Sequence, residues 1–337
     1  MKNEDKPIIA VVCGDIVGIG PEIVAKVIIE GPPDSCRLLI AEDAEVLRAA
    51  FDVLGARFDL PVFDNIEEAV KSDAPVTVLD LAQGNKDLLF LGHPDTETGE
   101  LQAKALVKAS LLAVDGWVDG VAYGPITKET LHIGDKHYVE EEDVLREVLK
   151  SPDLKGIGKL EGVYRYTMIE HVPMRELADL VTKERILKSI HALNEALLSY
   201  GLESPHIAVS ALNPHAGDGG LIGHEEADEI APAIEQAKAE GIDASGPVPG
   251  DTVYVRALQG EFDGVVSMYH DQALAAMKAA GFGKIVIILA HCPIVITTPS
   301  HGSAFNIAGK GIADHKNMLN AIEVAAGLAQ RRKQAEK

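Results

Sequence analysis

The feature that most constrains the fold of this chain is its alternation of short apolar runs with amphipathic stretches. Residues 8–13 form a continuous, largely β-branched run, and Gly14, Gly18 and Gly20 then form a glycine-rich turn before a helical pattern begins near Glu22. Strands that are apolar on both sides are typical of parallel sheets covered by helices on both faces. Because this pattern recurs along the chain, the sequence predicts an α/β fold.

The same periodicity locates the other elements. Further strands are predicted at 37–41, 76–81, 120–123, 163–169, 206–211, 264–268 and 285–289. Helices are predicted from Glu42 onward and at 98–114, 182–200, 225–240, 272–280 and 316–329. Residues 151–162 are expected to form a surface loop near a domain junction, and residues 331–337 a frayed, charged tail.

Length and charge restrict the class of protein. The 337 residues suffice for two domains of ordinary size or one large α/β domain. A net charge of −21 argues against nucleic acid or an anionic membrane as a partner, because both require a basic surface. No apolar run approaches the roughly 20 residues that cross a bilayer, and the charged N-terminus lacks a signal-peptide pattern. We therefore expect a soluble, cytoplasmic protein, in which Cys13, Cys36 and Cys292 form no disulfide framework.

Three histidines each follow a predicted strand by a few residues. They are His171 in YRYTMIEHVP, His215 in HIAVSALNPHAG and His270 in GVVSMYHDQ. Open α/β sheets bind ligands beyond the carboxyl ends of their strands, so three such imidazoles could converge on one divalent ion. Imidazole suits Zn, Co, Ni or Fe, and Mg or Mn if carboxylates such as Asp251 and Asp271 join.

Each of these histidines also has a simpler interpretation as a hydrogen-bonded loop residue, since histidine is common in half-buried loops. Their shared placement favours the metal site. Asn213 to Gly217 reads as a sharp turn that would hold His215 rigidly. Lys278, eight residues after His270, could meet a substrate anion or simply be solvated.

Two glycine-rich segments could bind a ligand. The first, Gly14 to Pro21, matches neither GxGxxG nor a P-loop, and we interpret it as a tight turn that needs positive φ. The second, residues 301–314, is too rich in glycine for a helix and too polar for a core strand. It predicts a binding loop beside a helix N-terminus.

Taken together, seven stretches of the chain resemble the 4-hydroxythreonine-4-phosphate dehydrogenase family of vitamin B6 (pyridoxine) biosynthesis. They are GDIVGIGPEI, YGPITKETL, EHVPM, ALNPHAGDGGLIGHEE, GPVPGDTVY, MYHDQALAAMK and HGSAFNIAGKGIAD. The resemblance covers nearly the whole chain. The last stretch is also similar to the adenosine-binding loop of isopropylmalate dehydrogenase.

The resemblance implies a homodimer of chains with two α/β domains and a central cleft, as in isocitrate and isopropylmalate dehydrogenases. The expected domains are 1–140 with 306–337, and 141–305 with the metal site and the dimer interface. His171, His215 and His270 match the family's metal ligands, one of them contributed across the dimer. Lys278 matches a substrate-binding lysine, and Asp251 and Asp271 match acidic residues near the metal; the resemblance implies a catalytic role for all three.

The family oxidises a secondary alcohol with NAD to give a β-keto acid that loses CO2. The resemblance therefore implies NAD, or alternatively NADP, together with a divalent metal: Zn, Mg, Co, Mn or Ni. Cofactor-binding positions carried over from the family motif are His301, Gly302, Ser303, Ala304, Asn306 and Asp314. The partner is a small-molecule substrate.

Several family positions differ in this chain. Residues 140–143 are Glu-Glu-Glu-Asp where the family has Gly-His-Thr-Glu, so Glu141 and Glu142 would face the substrate and repel phosphate. Ile287 replaces a substrate-binding asparagine, and Ile296 replaces an arginine suited to clamping phosphate or carboxylate. Ser300 and Asn306 replace two aspartates of the cofactor loop.

These departures leave alternatives open beside the leading hypothesis of an NAD- and metal-dependent dehydrogenase of a phosphorylated hydroxy acid. One is a dehydrogenase of an unphosphorylated diol or hydroxy acid, of the dihydrodiol or threonate/erythronate type. Another is a non-catalytic paralogue that binds metal or nucleotide. A third is a metal-dependent hydrolase or lyase that does not use NAD.

Overall fold

The computed structural model describes residues 6–83, 86–134 and 138–335. The strands in these ranges are β1 Ile8–Val12, β2 Arg37–Glu42, β3 Val62–Phe63, β4 Val76–Asp80, β5 Gly120–Tyr123, β6 Lys155–Leu160, β7 Val163–Ile169, β8 Ile207–Ser210, β9 Ala244–Val248, β10 Gly264–Tyr269, β11 Val286–Ala290 and β12 Ile296–Pro299. The α-helices are α1 Gly20–Glu30, α2 Ala44–Val53, α3 Ile66–Lys71, α4 Thr96–Val114, α5 Lys128–Gly134, α6 Glu141–Val148, α7 Leu177–Leu180, α8 Lys183–Ser199, α9 Ala231–Ala239, α10 Val253–Leu258, α11 His270–Gly281 and α12 Lys316–Ala335.

The chain folds into two compact units, the first reaching to Lys155 and resuming at Val286, the second spanning Gly156–Ile285. In the first unit the strand order is β3-β4-β2-β1-β5-β12-β11, and all neighbours are parallel except β11, which runs antiparallel to β12. In the second unit the order is β6-β7-β10-β8-β9, parallel except for the β6–β7 pair. The predicted α/β fold is confirmed.

Both faces of the first unit's sheet are buried, as its continuous apolar strands predict. Along β1, Ile9 and Val11 belong to one core cluster, whereas Ala10 and Val12 belong to the other. Helices α1, α2 and α12 supply side chains to the first cluster, and α4 and α6 supply side chains to the second. The period of two along each strand therefore divides its residues between two helical layers.

The unit boundaries differ from the domain ranges expected from the resemblance. Residues 141–155 and 286–305 lie in the first unit. The physical reason is packing: Leu145, Leu154, Leu289 and Ile296 share one core cluster with strand β5. The arrangement of the two domains about a cleft stays a prediction.

Two local predictions were wrong. Residues 151–162 do contain the boundary between the two units along the chain, as predicted, but they form strand β6 rather than a surface loop: β6 pairs with β7 and buries Ile157 and Leu160. The expected tail instead continues α12 to Ala335, where Arg332 donates to the carbonyl oxygen of Pro293 and Lys333 Nζ lies 2.7 Å from Asp119 Oδ2; residues 336–337 lie outside the described residues. Along the described chain, no helix is both long enough and apolar enough to cross a membrane.

The glycine-rich turn after β1 needs its glycines for two reasons, of which only one was predicted. Gly14 has φ +79°, as a tight turn requires. Gly18 and Gly20 have ordinary φ values, but their α-carbons are in close contact with neighbouring backbone. A Cβ on Gly18 would lie 2.6 Å from Ser303 Cβ, and one on Gly20 would overlap the carbonyl oxygen of Cys13.

We expect Gly20→Ala to lower the free energy of unfolding by about 1–3 kcal/mol, because the added methyl group forces the backbone at the start of α1 to shift. Gly327→Ala is the matched control. Gly327 lies exposed in α12 with nothing within 4 Å of an added Cβ, so this change should stabilise by up to about 1 kcal/mol through helix propensity. Urea unfolding of both variants measures the difference; equal effects would contradict the steric account.

Candidate functional site

The three predicted histidines all lie at the carboxyl ends of adjacent parallel strands in the second unit. His171 follows β7 by two residues, and His270 follows β10 directly as the first residue of α11. His215 lies five residues beyond β8. Because β7, β10 and β8 are neighbours in that order, the three strand ends share one edge of the sheet.

Two of the histidines come together with a carboxylate. Glu170, His171 and His270 each offer a ligand atom, and these atoms lie within 4.8 Å of one another. The two imidazole rings are 5.6 Å apart between centroids, at an interplanar angle of 43°. Two imidazoles and a carboxylate are a donor set that suits Zn, Co, Ni or Fe, and a catalytic zinc site needs three protein ligands beside an open position. The residues therefore fit a divalent ion.

Asp271 orients one of the imidazoles. His270 Nδ1 donates a hydrogen bond of 2.7 Å to Asp271 Oδ1, which leaves Nε2 of the ring as the nitrogen able to bind a metal. The Asp271 side chain is itself 82% exposed. The structure thus places this predicted acidic neighbour where a carboxylate fixes the tautomer of a candidate metal ligand.

Glu170 is a candidate metal ligand that the sequence pattern did not predict, although it directly precedes His171. One of its carboxylate oxygens also lies 3.7 Å from the guanidinium of the buried Arg165. Glu170 could therefore serve as a counterion for Arg165, as a metal ligand, or as both. The dipeptide Glu-His directly after an apolar strand was the available signal.

The segment that carries His215 is strained. His215, Ala216 and Asp218 have φ values of 54°, 54° and 44°, in the left-handed region that non-glycine residues seldom adopt. The buried carboxylate of Glu226 anchors the start of this turn, because its Oε1 accepts from the backbone nitrogens of Leu212 (2.9 Å) and Asn213 (2.7 Å). The predicted sharp turn is present.

His215 is exposed, and among the described residues it is not part of the cluster formed by Glu170, His171 and His270. Asp251 is exposed in the turn between β9 and α10 and is likewise outside that cluster. Lys278 is exposed in the last turn of α11, eight residues and so about 12 Å along the helix from His270. The roles expected of these three residues stay predictions.

A second set of predicted residues lies in the first unit, where the strand order reverses. From β1 the chain moves outward to β2 and then returns to β5 on the other side of β1. The loops that follow β1 and β5 therefore flank a topological switch point, the place where open α/β sheets bind ligands. The predicted cofactor loop also meets these loops: Ser303 O accepts from Ile19 N at 3.0 Å, and Ser303 Oγ lies 2.6 Å from Thr127 Oγ1.

The residues predicted to bind the cofactor occupy different environments within the 301–314 loop. His301 is half-buried, and its Nε2 is buried without a hydrogen-bond partner in the described part of the chain. Ser303 is buried, Ala304 has a left-handed φ of 43°, and Gly302 and Asn306 are exposed. A buried imidazole nitrogen without a partner fits a loop that binds a polar ligand.

Asp314 has a structural role within the same loop. Its Oδ1 accepts from the backbone nitrogen of Lys316 at 3.0 Å, at the start of α12. This is the geometry of an Asx turn leading into the helix. The structure therefore explains this aspartate without a cofactor, and its predicted binding role stays a prediction.

The acidic run at the start of α6 is largely neutralised by its neighbours. Lys128 Nζ lies 3.0 Å from Glu140 Oε2, and Arg146 lies 2.6 Å from Glu142 and 2.8 Å from Asp143. Glu141 Oε2 is buried without a hydrogen-bond partner among the described residues, and burial raises the pKa of Glu141. The four carboxyl groups of residues 140–143 therefore repel an anion less strongly than four ionised and unpaired carboxylates would.

Burial also raises the pKa of Glu142 to about 7, with the neighbouring Glu140 adding to the shift.

The two isoleucines that stand where the family has polar substrate-binding residues both belong to the core of the first unit. Ile296 is fully buried there, and Ile287 packs against the same core cluster. At position 296 the side chain thus serves packing.

The sequence matches the family described as Pyridoxal phosphate biosynthetic protein PdxA over residues 34–325. A protein of Fusobacterium nucleatum subsp. nucleatum named "Putative D-threonate 4-phosphate dehydrogenase" is 35% identical over 322 residues, which cover 95% of this chain and 97% of that protein. A protein of the same name from Symbiobacterium thermophilum is 36% identical over 328 residues, or 97% of this chain and 98% of its own.

Among solved structures, the crystal structure of 4-hydroxythreonine-4-phosphate dehydrogenase from Klebsiella pneumoniae superposes with a TM-score of 0.85. It is 33% identical in sequence, and the match covers 96% of this chain and 100% of that chain.

Proposed function

Because this chain belongs to the family of pyridoxal phosphate biosynthetic protein PdxA, we propose that it is an NAD- and divalent-metal-dependent dehydrogenase. It is an oxidoreductase that acts on CH–OH groups, as its relatives' names indicate. In the proposed reaction, the secondary alcohol of a phosphorylated hydroxy acid is oxidised to a ketone. Bound NAD would supply the hydride acceptor for the alcohol carbon, the hydroxyl proton would be released, and a β-keto acid product would then lose CO2.

The observation that carries the proposal is the cluster of Glu170, His171 and His270 at the ends of two adjacent parallel strands. Together with His215, these residues would hold the metal. A divalent ion bound there supplies a positive charge that polarises the substrate oxygen and stabilises negative charge developing on it. Asp271 holds the proton on His270 Nδ1, and so keeps Nε2 available.

The 301–314 loop would hold the dinucleotide, with His301, Gly302, Ser303, Ala304, Asn306 and Asp314 as the proposed contacts. NAD bound there supplies the hydride acceptor. Lys278, as a cation on α11, would bind an anionic group of the substrate, and Asp251 would act beside the metal. We extend the proposal to a homodimer in which one of the three histidines comes from a second copy of the chain.

The test is NADH formation by the metal-stripped protein after each divalent metal is restored. The panel contains D-threonate 4-phosphate, 4-hydroxythreonine 4-phosphate, their unphosphorylated counterparts and a cyclic dihydrodiol. NADH from the phosphorylated compounds is the expected result. NADH only from unphosphorylated compounds would favour the alternative substrate class, and binding of metal and NAD without turnover would indicate a non-catalytic paralogue.

Isothermal calorimetry with NAD separates the remaining alternative. A metal-dependent hydrolase or lyase would bind no NAD, whereas the proposed dehydrogenase should bind it with or without substrate. The identity of the nucleotide follows from the same titration with NADP. Sedimentation of the unmodified chain tests the proposed homodimer.

We expect the KM for a phosphorylated substrate to rise about three- to tenfold between pH 6 and pH 8. The physical reason is that Glu142 loses its proton near pH 7, and a new carboxylate near the substrate repels phosphate through partly screened Coulomb forces. Glu142→Gln should remove most of this rise. Because phosphate itself ionises near pH 6, the comparison of variant with wild type is the decisive measurement. An identical pH profile in both proteins would place Glu142 away from the substrate.

A further inference from the structure

Helix α1 contacts the proposed cofactor loop through an ion pair that binds the loop's backbone. Glu22 and Lys26 are one helical turn apart, with Lys26 Nζ 3.0 Å from Glu22 Oε1. Glu22 is fully buried, and the Lys26 side chain is only 16% exposed. Most surface ion pairs are weakened by the surrounding water. Because this pair is largely shielded from water, its charged hydrogen bonds are stronger.

Both partners of the pair bind the same two loop residues. Glu22 Oε2 accepts from Gly311 N at 3.1 Å, and Glu22 Oε1 accepts from Ala313 N at 2.7 Å. Lys26 Nζ donates to Gly311 O at 3.0 Å and to Ala313 O at 2.6 Å. Two side chains thus satisfy the donors and acceptors of two alternate residues, as a neighbouring β-strand would.

Other contacts of α1 hold the flanks of the same segment. Before the helix, Ile19 N donates to Ser303 O, and Gly18 packs directly against Ser303. At the other end of the helix, Glu30 Oε2 lies 3.1 Å from the imidazole of His315. Along α1, the Glu22–Lys26 pair lies between these two contacts, and it binds the loop at Gly311 and Ala313.

We propose that the Glu22–Lys26 pair is a positioning clamp that holds the 309–313 backbone in the conformation that binds the dinucleotide. This inference rests on the proposed function of the 301–314 loop. Neither side chain touches a reacting atom; each acts through the loop. The clamp therefore sets the affinity for NAD rather than the rate of the chemical step.

The first measurement is hydrogen–deuterium exchange of a peptide covering residues 308–315, which needs no cofactor. In Glu22→Gln the amide side chain can accept from only one of the two loop nitrogens and presents an N–H to the other. We expect exchange at Gly311 and Ala313 to become about tenfold faster or more, as expected for losing a hydrogen bond to a charged group. Lys26→Met should act in the same direction.

The second measurement is steady-state kinetics with saturating metal and substrate. We expect KM for NAD to rise about tenfold or more in either variant, with kcat within about threefold of wild type. A merely structural role would lower the fraction of active protein, and so kcat, at unchanged KM. In the double variant Glu22→Gln/Lys26→Met the effects should not add, because the two residues act as one unit.

Glu100→Gln is the matched control, since Glu100 and Lys104 form an ion pair with the same spacing on an exposed face of α4, 3.4 Å apart. It should change neither exchange at 308–315 nor KM for NAD. Unchanged exchange in Glu22→Gln and Lys26→Met would overturn the clamp itself. Faster exchange with an unchanged NAD affinity would overturn the link to the cofactor, and would count against the proposed role of the loop. If either Glu22→Gln or Lys26→Met does not fold, hydrogen–deuterium exchange and kinetics of the variant that does fold test the proposal.

Discussion

His270→Ala is expected to abolish metal binding and to lower activity by about 10³-fold or more, while the protein stays folded. His270 belongs to the cluster with Glu170 and His171, and a catalytic ion contributes several kcal/mol of charge stabilisation, with each 1.4 kcal/mol worth a factor of ten. His171→Ala should behave in the same way. Metal content by plasma emission spectroscopy, NADH formation and circular dichroism measure the three parts of this prediction.

His191→Ala is the matched control, because His191 is a partly exposed histidine of the same unit that pairs with Glu240. It should keep both metal and activity. His215→Ala tests the third ligand separately: we expect it to remove metal binding and activity together. Unchanged metal content in that variant would leave Glu170 as the third ligand, and Glu170→Gln would then be the variant that loses the metal.

The second large effect concerns a buried acid at the end of β2. Glu42 is 4% exposed, and burial raises its pKa from 4.5 to about 7. Between these values the unfolded chain has lost a proton that the folded protein keeps, so stability falls as pH rises through this range. Above pH 7 the ionised side chain costs about 3 kcal/mol relative to low pH.

Glu42→Gln removes this titration and retains an oxygen that can accept from Asp43 N. We therefore expect the free energy of unfolding of the variant, relative to wild type, to rise by about 3 kcal/mol between pH 4 and pH 8. Urea unfolding at several pH values measures the difference. Asp52→Asn, at an exposed position of α2, serves as the control. If the difference in the free energy of unfolding between Glu42→Gln and wild type does not change with pH, folding does not raise the pKa of Glu42.

Local pattern was sufficient for the elements that carry the histidines. The predicted strand 163–169 matches β7, and the other two strand ends differ by one residue, because apolar runs bounded by turns are a local signal. Strand β6 was missed because its lysines and glycines hide the alternation of buried residues. Helix α6 was missed because its charged first turn gives little apolar periodicity.

The sequence by itself determined the α/β class, the strand-end position of His171, His215 and His270, and the family to which the chain belongs. Each of these depends on residues close together along the chain or on motifs read as they stand. The tertiary structure alone decided that Glu170 and His171 meet His270, that Lys128 pairs with Glu140, and that Glu22 binds Gly311 and Ala313. The reason is that such contacts join residues up to 291 positions apart, and the order of strands in the sheet, which no local period contains, sets which loops meet.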